Sequence, residues 1–335
     1  MNAAQKQERN ALKQMLFSPD FLHQKSEYFL RLFRYQYAYN PLYGEFCRLL
    51  GKNPEQIFDF TQIPHLPISF FKTHKVSSRT DEATLIFESS GTTGTIPSRH
   101  LLYDEDLYIQ SFLADFTFAY GNPQQFCFLF LLPGYMERQG SSLIYMADYL
   151  KKISPYSQSG FYLRSNEALL ECIAENKEKF IPTILWGVSF ALLDLAESGK
   201  FDFSHCIVME TGGMKGRRIE PTREALHACY SSQFAIQDTH SEYGMTELLS
   251  QAYSKGKGKF IPSPKMHISI FESEDPLTET ANEKTGRLHI IDGANIDSCA
   301  FIATQDLGKK YADGSFEIVG RMDHSDLRGC SLLTA

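Results

Sequence analysis

The sequence predicts an α/β fold: a mainly parallel sheet covered by helices, followed by a smaller strand-rich part. Two observations carry this. From residue 84 to 238, short apolar runs alternate with stretches of helical spacing, and continuous apolar strands separated by helices are the mark of a parallel sheet buried on both faces. After residue 260 the runs become short strands broken by turn residues. The composition supports a folded chain: of 335 residues, 43% are hydrophobic and 22% charged, enough for a large core without staples.

The first 60 residues read as helices, with Phe29, Leu32, Phe33 and Tyr37 at helical spacing, as are Tyr43, Cys47 and Leu50. The aromatic side chains here pack a core. IPHLPISFFKTHKV follows, and Pro64 and Pro67 make it extended. TLIFE is a strand ending in a polar glycine loop. Asp104 to Phe118 is a helix whose acidic first turn suits the positive end of the helix dipole. FCFLFLL is a buried strand, Ser141 to Lys151 a helix, Asn166 to Lys177 a helix and PTILWG a strand. Phe190 to Glu197 is a helix, HCIVME a strand, Pro221 to about Tyr230 a helix and QFAIQD a strand. KMHISIFE, GRLHIID, AFIAT and SFEIVG form the strand-rich part, and KGKGK at 255–259 reads as a mobile connection.

Several function classes are excluded. A net charge of −7 gives no basic footprint for nucleic acid. The seven cysteines are odd in number and widely spaced, with no C-x-x-C, which excludes a disulfide framework or zinc ribbon and points to a reducing, cytoplasmic compartment. MNAAQKQERNALKQ lacks the apolar core of a signal peptide, and the longest apolar run, Phe126 to Leu132, is far short of the roughly 20 residues that span a bilayer.

Five segments carry candidate chemistry. Glu88-Ser-Ser-Gly-Thr-Thr-Gly-Thr-Ile-Pro-Ser-Arg99 follows a strand, and its glycines and hydroxyls offer donors that wrap phosphate oxygens; a flexible surface loop is the other reading. No lysine follows Gly94, so it is not a G-x-x-x-x-G-K-[ST] loop. Asp238-Thr-His-Ser-Glu-Tyr-Gly-Met-Thr-Glu247 puts carboxylates, an aromatic ring and a hydroxyl where open α/β sheets bind ligands, though Tyr243 as core and Glu247 as a solvated residue would also explain it. Gly212-Gly213 lets a flat ring lie on the backbone or makes a tight turn. Thr304-Gln-Asp306 follows AFIA and Gly320-Arg-Met-Asp323 follows SFEIVG, as site segments or surface turns. Gly187-Val-Ser-Phe-Ala191 imitates a nucleophile elbow, but Ser189 is better explained as the cap of the next helix.

In this order the segments resemble the adenylate-forming superfamily of acyl-CoA synthetases, peptide-synthetase adenylation domains and luciferase. Ser89-Ser-Gly-Thr-Thr-Gly94 resembles its phosphate loop, Tyr243-Gly-Met-Thr-Glu247 its Y-G-x-T-E motif, Gln305-Asp306 its T-G-D with Gln for Gly, and Gly320-Arg-Met-Asp323 its G-R-x-D. IPHLPISFFKTHKV, FESSGTTG, PGYMERQGSS and the ending RGCSLL make the whole chain resemble the acyl-protein synthetases of LuxE type.

The resemblance implies the large N-terminal domain of that fold, with residues 1–260 a helical segment and nucleotide-binding core, 261–323 a β-rich subdomain, and 324–335 a tail. Only 324–335 follow Asp323, none of them lysine, so the superfamily's mobile C-terminal domain is expected to be absent. It implies ATP and Mg²⁺ and a carboxylic acid, of the fatty-acid class, that becomes an acyl-adenylate, then a thioester for a reductase or other acyl acceptor. Ser89, Ser90, Thr92 and Thr93 would hold the leaving phosphates, Gly91 and Gly94 allowing close approach. Thr246 would contact the α-phosphate and Glu247 hold Mg²⁺. Tyr243, Gly212 and Gly213 would flank the adenine, with Gly244 beside them, and Asp306 and Arg321 would meet the ribose. Tyr135, Arg138 and Gly140 lie nearest the acyl pocket. Cys330 would be the acyl acceptor: six cysteines sit in apolar segments, whereas Cys330 follows Arg328-Gly329 on a tail that glycine makes mobile, and a guanidinium favours the thiolate. A phenylacetate-type CoA ligase and a catalytically silent nucleotide-binding regulator are the alternatives.

Overall fold

Three helices open the chain: α1 (Ala3–Leu16), α2 (Phe21–Tyr39) and α3 (Pro41–Leu49). Asn2 caps α1 by accepting the amide of Gln5, and Asn40 ends α2 and caps α3, with Pro41 in the first turn. Their inner faces bury Leu12, Leu16, Tyr28, Phe29, Leu32, Phe33, Tyr43 and Cys47. The computed structural model describes residues 1–89, 96–133, 140–163, 166–212, 221–275 and 277–322.

The extended IPHLPIS segment holds a two-residue strand, β1 (Leu66–Pro67), and FFKT behind it is a turn of helix, α4 (Phe70–Thr73). Strands β2 (Leu85–Glu88) and β3 (Arg99–Leu102) pair as an antiparallel hairpin, so the Ser/Thr/Gly loop is carried at its tip. Helix α5 (Glu105–Tyr120) starts on Asp104, whose carboxylate accepts the amide of Leu107, and α6 (Ser142–Ile153) starts on Ser141. Between and after them run β4 (Cys127–Leu131), β5 (Gly160–Phe161), α7 (Asn166–Glu178), β6 (Thr183–Val188), α8 (Ser189–Ser198), β7 (Cys206–Thr211), α9 (Arg223–Phe234), β8 (His240–Tyr243), β9 (Ala252–Ser254), β10 (Phe260–Pro262), β11 (Met266–Phe271), β12 (Gly286–Asp292), β13 (Phe301–Lys310) and β14 (Phe316–Arg321).

Strands β5-β4-β6-β7-β8 are parallel; β9, β10, β14, β13, β12 and β11 continue the ladder antiparallel, with β1 beside β13. The strand-rich part is therefore one end of the same twelve-stranded sheet, joined to the parallel half through β9 and β10. KGKGK is the turn between those two strands.

Three local readings are corrected. QFAIQD is not a strand: Tyr230 and Phe234, one helical turn apart and both fully buried, stack their rings 5.8 Å apart and carry α9 through Phe234. Ala235, in the left-handed conformation, ends it, and the strand starts at His240, inside the candidate motif. Thr304-Gln-Asp306 lies within the ten-residue β13, not in a turn after it, because Asp306 pairs with Arg321 of β14. Ser189 does not cap α8: it is the helix's first residue, and its hydroxyl donates 2.7 Å to the carbonyl of Gly212. The six described cysteines are free thiols, four buried and two half-buried, and no described helix is long and apolar enough to cross a membrane.

Candidate functional site

The carboxyl ends of β6, β7 and β8 face one edge of the sheet, and the segments leaving them gather candidate residues there. Tyr243 ends β8. Its ring packs edge-on against Phe260 and Phe316, and its hydroxyl donates 2.8 Å to Asp306 Oδ2. Asp306 faces Arg321 across the β13–β14 ladder, Nε to Oδ1 3.9 Å, with the guanidinium 68% exposed. Burial raises the Asp306 carboxyl above the usual range, opposed by the tyrosine hydrogen bond and by Arg321.

Glu247 is 6% exposed. Burial raises its pKa; a hydrogen bond from Ser98 and the charge of Arg321 act the other way. Ser98 closes the neck of the Ser/Thr/Gly loop: its amide donates 2.8 Å to Ser89 Oγ, and its carbonyl accepts the Ser89 amide at 3.0 Å. The neck of that loop and the last residue of the Tyr243–Glu247 motif are thus in contact through one serine, although about 150 residues separate them in the chain.

The segment 246–251 has no helix or strand to satisfy its backbone, so side chains do it. The carbonyl of Thr246 accepts from His100 Nδ1 at 2.8 Å, which fixes the proton on that nitrogen; burial holds the imidazole neutral, its pKa lowered to about 4. Asn295 Nδ2 donates to the carbonyl of Glu247 at 2.7 Å. Asp292 accepts the amides of Leu249 and Ser250 on one oxygen and the Ser250 hydroxyl on the other. Asp115, paired with the buried Lys265, accepts the amide of Gln251 at 2.9 Å.

The glycines contribute backbone room. Gly212 leaves β7 at φ 68°. Gly140 has φ 84° and accepts the Glu88 amide at 2.8 Å, so it lies against the β2–β3 hairpin; a Cβ there would stand 2.8 Å from the Ile86 carbonyl. Gly244 is exposed beside the Glu242 carboxyl.

The structure therefore brings together Ser89, Tyr243, Thr246, Glu247, Asp306 and Arg321 around the edge, with Gly212, Gly244 and Gly140 in adjoining segments. Ser90, Gly91, Thr92, Thr93, Gly94, Tyr135, Arg138, Gly213 and Cys330 lie outside the described residues. Sequence reading missed Ser98, His100, Asp292 and Asn295. For Asp292 a signal existed: Asp-Gly after an apolar strand marks an Asx turn, seen here as Asp292 Oδ1 accepting the Ala294 amide at 3.1 Å.

Among the described residues no group of three or more His, Cys, Asp or Glu side chains is arranged for a metal. The single carboxylate of Glu247 fits a hard cation such as Mg²⁺, which takes few protein oxygens and completes its shell with phosphates and water.

Residues 21–110 match the family model described as acyl-protein synthetase, LuxE. No curated protein sequence matches the chain. Among solved structures, an open form of 2-hydroxyisobutyryl-CoA ligase with its acyl-AMP and CoA superposes with TM-score 0.66 at 9% identity, over 90% of this chain and 71% of that one. ATP-bound MatB from Rhodopseudomonas palustris gives 0.52 at 16% identity, over 70% and 47%. A long-chain-fatty-acid-CoA ligase, FadD1, from Archaeoglobus fulgidus gives 0.51 at 17%, over 72% and 52%. The fold is that of the large N-terminal domain of adenylate-forming enzymes, and the chain spans about half the length of the last two.

Proposed function

We propose that this chain activates a carboxylic acid with ATP and passes the acyl group to a cysteine. The observation that carries the reading is the contact of Glu247 with Ser98 at the neck of the Ser/Thr/Gly loop, with Tyr243–Asp306 and Arg321 on the same edge. The LuxE-type match and the adenylate-forming fold support it.

In the first half-reaction a carboxylate oxygen of the acid attacks the α-phosphorus of ATP. The bond from that phosphorus to the bridging oxygen breaks, pyrophosphate leaves, and an acyl-adenylate remains. Charge builds on phosphate oxygens, so positioned donors and cations do most of the work. Ser89, Ser90, Thr92 and Thr93 donate to the leaving phosphates; Gly91 and Gly94 keep the backbone close. Thr246 meets the α-phosphate, its backbone fixed by His100. Glu247 would hold Mg²⁺, which would neutralise phosphate charge when bound. Gly212, Gly213, Gly244 and Tyr243 border the adenine. Asp306, held by Tyr243, accepts from the ribose hydroxyls beside Arg321. Tyr135, Arg138 and Gly140 border the acyl group, taken as that of a fatty acid.

In the second half-reaction the Cys330 thiolate attacks the acyl carbonyl, the bond to the phosphate oxygen breaks, AMP leaves, and a thioester forms for a reductase or other acceptor protein. Free thiols fit a cytoplasmic setting. Acid-dependent exchange of pyrophosphate into ATP, screened over straight-chain, branched and aromatic acids, tests the first half; its absence with all of them overturns the reading. Cys330→Ser is expected to keep that exchange and lose hydroxylamine-sensitive labelling by radioactive acid. Undiminished labelling of the variant removes Cys330 from the mechanism, and acyl transfer to added coenzyme A in its place moves the acceptor there, as in the CoA ligases that share the fold.

A further inference from the structure

Glu242 belongs to the same motif and has no part in the account above. It alternates with Tyr243 to the opposite face of β8, the face toward α5, whose Phe116 and Tyr120 rings lie 6.0 and 5.4 Å from Tyr253. Thr211, Glu242 and Tyr253 are cross-strand neighbours on β7, β8 and β9. The Thr211 hydroxyl donates to Glu242 Oε2. Glu242 is 9% exposed, and no cation acts on it; burial lifts its carboxyl to about 7.

A carboxyl in an aromatic wall costs several kcal/mol unless its hydrogen-bonding groups find partners. Around this one, which has the Thr211 hydroxyl, three other polar atoms lack partners: the Tyr253 hydroxyl, Gln251 Oε1 and Trp186 Nε1, all buried. The Trp186 ring is 6.2 Å from Tyr253, and Gln251 stands two residues along the same face. Glu242 Oε1 and the Gln251 side chain converge on Gly244, where a Cβ would overlap the carboxyl oxygen. This cluster therefore adjoins Gly244, exposed at the strand end two residues before Thr246. It offers acceptors, Glu242 and Gln251, together with donors, Tyr253 and Trp186. A ligand group that both gives and takes a hydrogen bond satisfies such a set; an ammonium group, which only gives, leaves the indole N–H unpaired.

We infer that the acid activated at this edge carries a hydroxyl group, held by Glu242 with Gln251 and Tyr253, and that Glu242 sets the choice of acid. This rests on the acid-activating reading and narrows its substrate class. The step itself is non-covalent recognition, and its strength follows from the asymmetry of buried hydrogen bonds: an acid without the hydroxyl leaves the Gln251, Tyr253 and Trp186 groups unpaired.

The test is pyrophosphate exchange by the full chain with hexanoate, isovalerate and benzoate, each compared with its hydroxy and amino derivatives. The expected result is a kcat/KM at least about tenfold higher for a hydroxy acid than for its parent. Glu242→Leu should abolish or reverse that ratio, while Glu242→Gln and Tyr253→Phe, which keep the packing, should reduce it. Parent acids used as well as hydroxy acids, with exchange intact, overturn the inference and leave acid activation standing. The same holds if Glu242→Leu shifts the melting temperature alone, with the ratio unchanged, as it would if water filled the cluster. A preference for amino acids lost in Glu242→Gln replaces hydroxyl by ammonium and overturns the assignment. Absence of exchange with all of these acids and with every acid of the wider screen removes the activation reading and this inference with it.

Discussion

The two ends of the sheet use their buried polar groups differently. At the antiparallel end, the N-terminal helices close over the segment 293–300 and spend their polar side chains on its backbone. Tyr28 donates to the Gly293 carbonyl at 2.6 Å, Gln36 donates to Asn295 and Ile296 and accepts from Ala300, and Asn40 donates to Ser298. Arg9 grips Asp297 at 2.6 Å and Asp104 at 2.7 Å. At the parallel end, Tyr253, Gln251 and Trp186 keep hydrogen-bonding capacity unspent beside Glu242, which accepts from Thr211. One segment serves both: Asp292 and Asn295 hold the turn at 247–250, while Tyr28 and Gln36 hold the chain they stand on. The lesson is that the brace is made by side chains tied to distant backbone, even though His65 Nε2, the His289 ring and the Asn295 side-chain oxygen there lack partners, whereas the unpartnered groups of the parallel end stand together beside Glu242.

The sharpest way to break this contrast is in the brace. Asp297→Ala leaves Arg9 buried without its main partner and is expected to cost about 3–5 kcal/mol in denaturant unfolding. Exchange per folded molecule should change little; a stable variant with lost exchange would merge the two ends into one functional unit.

At the joint between them, Asp292→Ala strips the partner from two backbone amides and a hydroxyl. About 2 kcal/mol of stability should be lost, and exchange should fall as well, because the backbone on which Thr246 and Glu247 sit loosens. If stability falls while exchange holds, the joint is structural only.

The smallest effect is in pH, and it sets buried histidines against Glu242 by sign. Burial lowers His65 and His267 to about 3 and His289 to about 2 at the braced end. Their contribution is full above the unfolded value of about 6.5 and is lost as pH falls toward those folded values. Glu242, raised to about 7, contributes fully below its unfolded value of about 4.5, and that contribution is lost as pH rises toward 7. Melting temperature should therefore drop on acidification below about pH 6.5, because these histidines, together with His100 and His240 lowered to about 4, outweigh Glu242. His289→Leu should flatten that drop by at most about 1.4 kcal/mol per pH unit, and Glu242→Gln should steepen it. Identical slopes in all three proteins would remove the distinction.

Much of this architecture was legible because local and global signals agree. FCFLFLL is a central parallel strand with every residue of β4 buried, and Asp104 and Ser141 cap the helices they introduce. Tyr243, Glu247 and Asp306 were legible as motif residues. Their meeting was not, since it depends on a ladder pairing Asp306 with Arg321 and on Ser98 reaching Glu247 across the fold. Asp306 hid inside β13 because TQDLGKK is polar and half-exposed, like a turn. His100 and Asn295 gave no local sign: what they hold is backbone distant in sequence.

The central claim, that this sheet edge activates an acid with ATP, meets its most direct test in Glu247→Gln and Asp306→Ala. Acid-dependent pyrophosphate exchange should fall by about 10²–10³ in each, with the melting temperature close to that of the parent protein. Exchange at the parent level in both variants would contradict the claim and return the two carboxyls to a purely structural role.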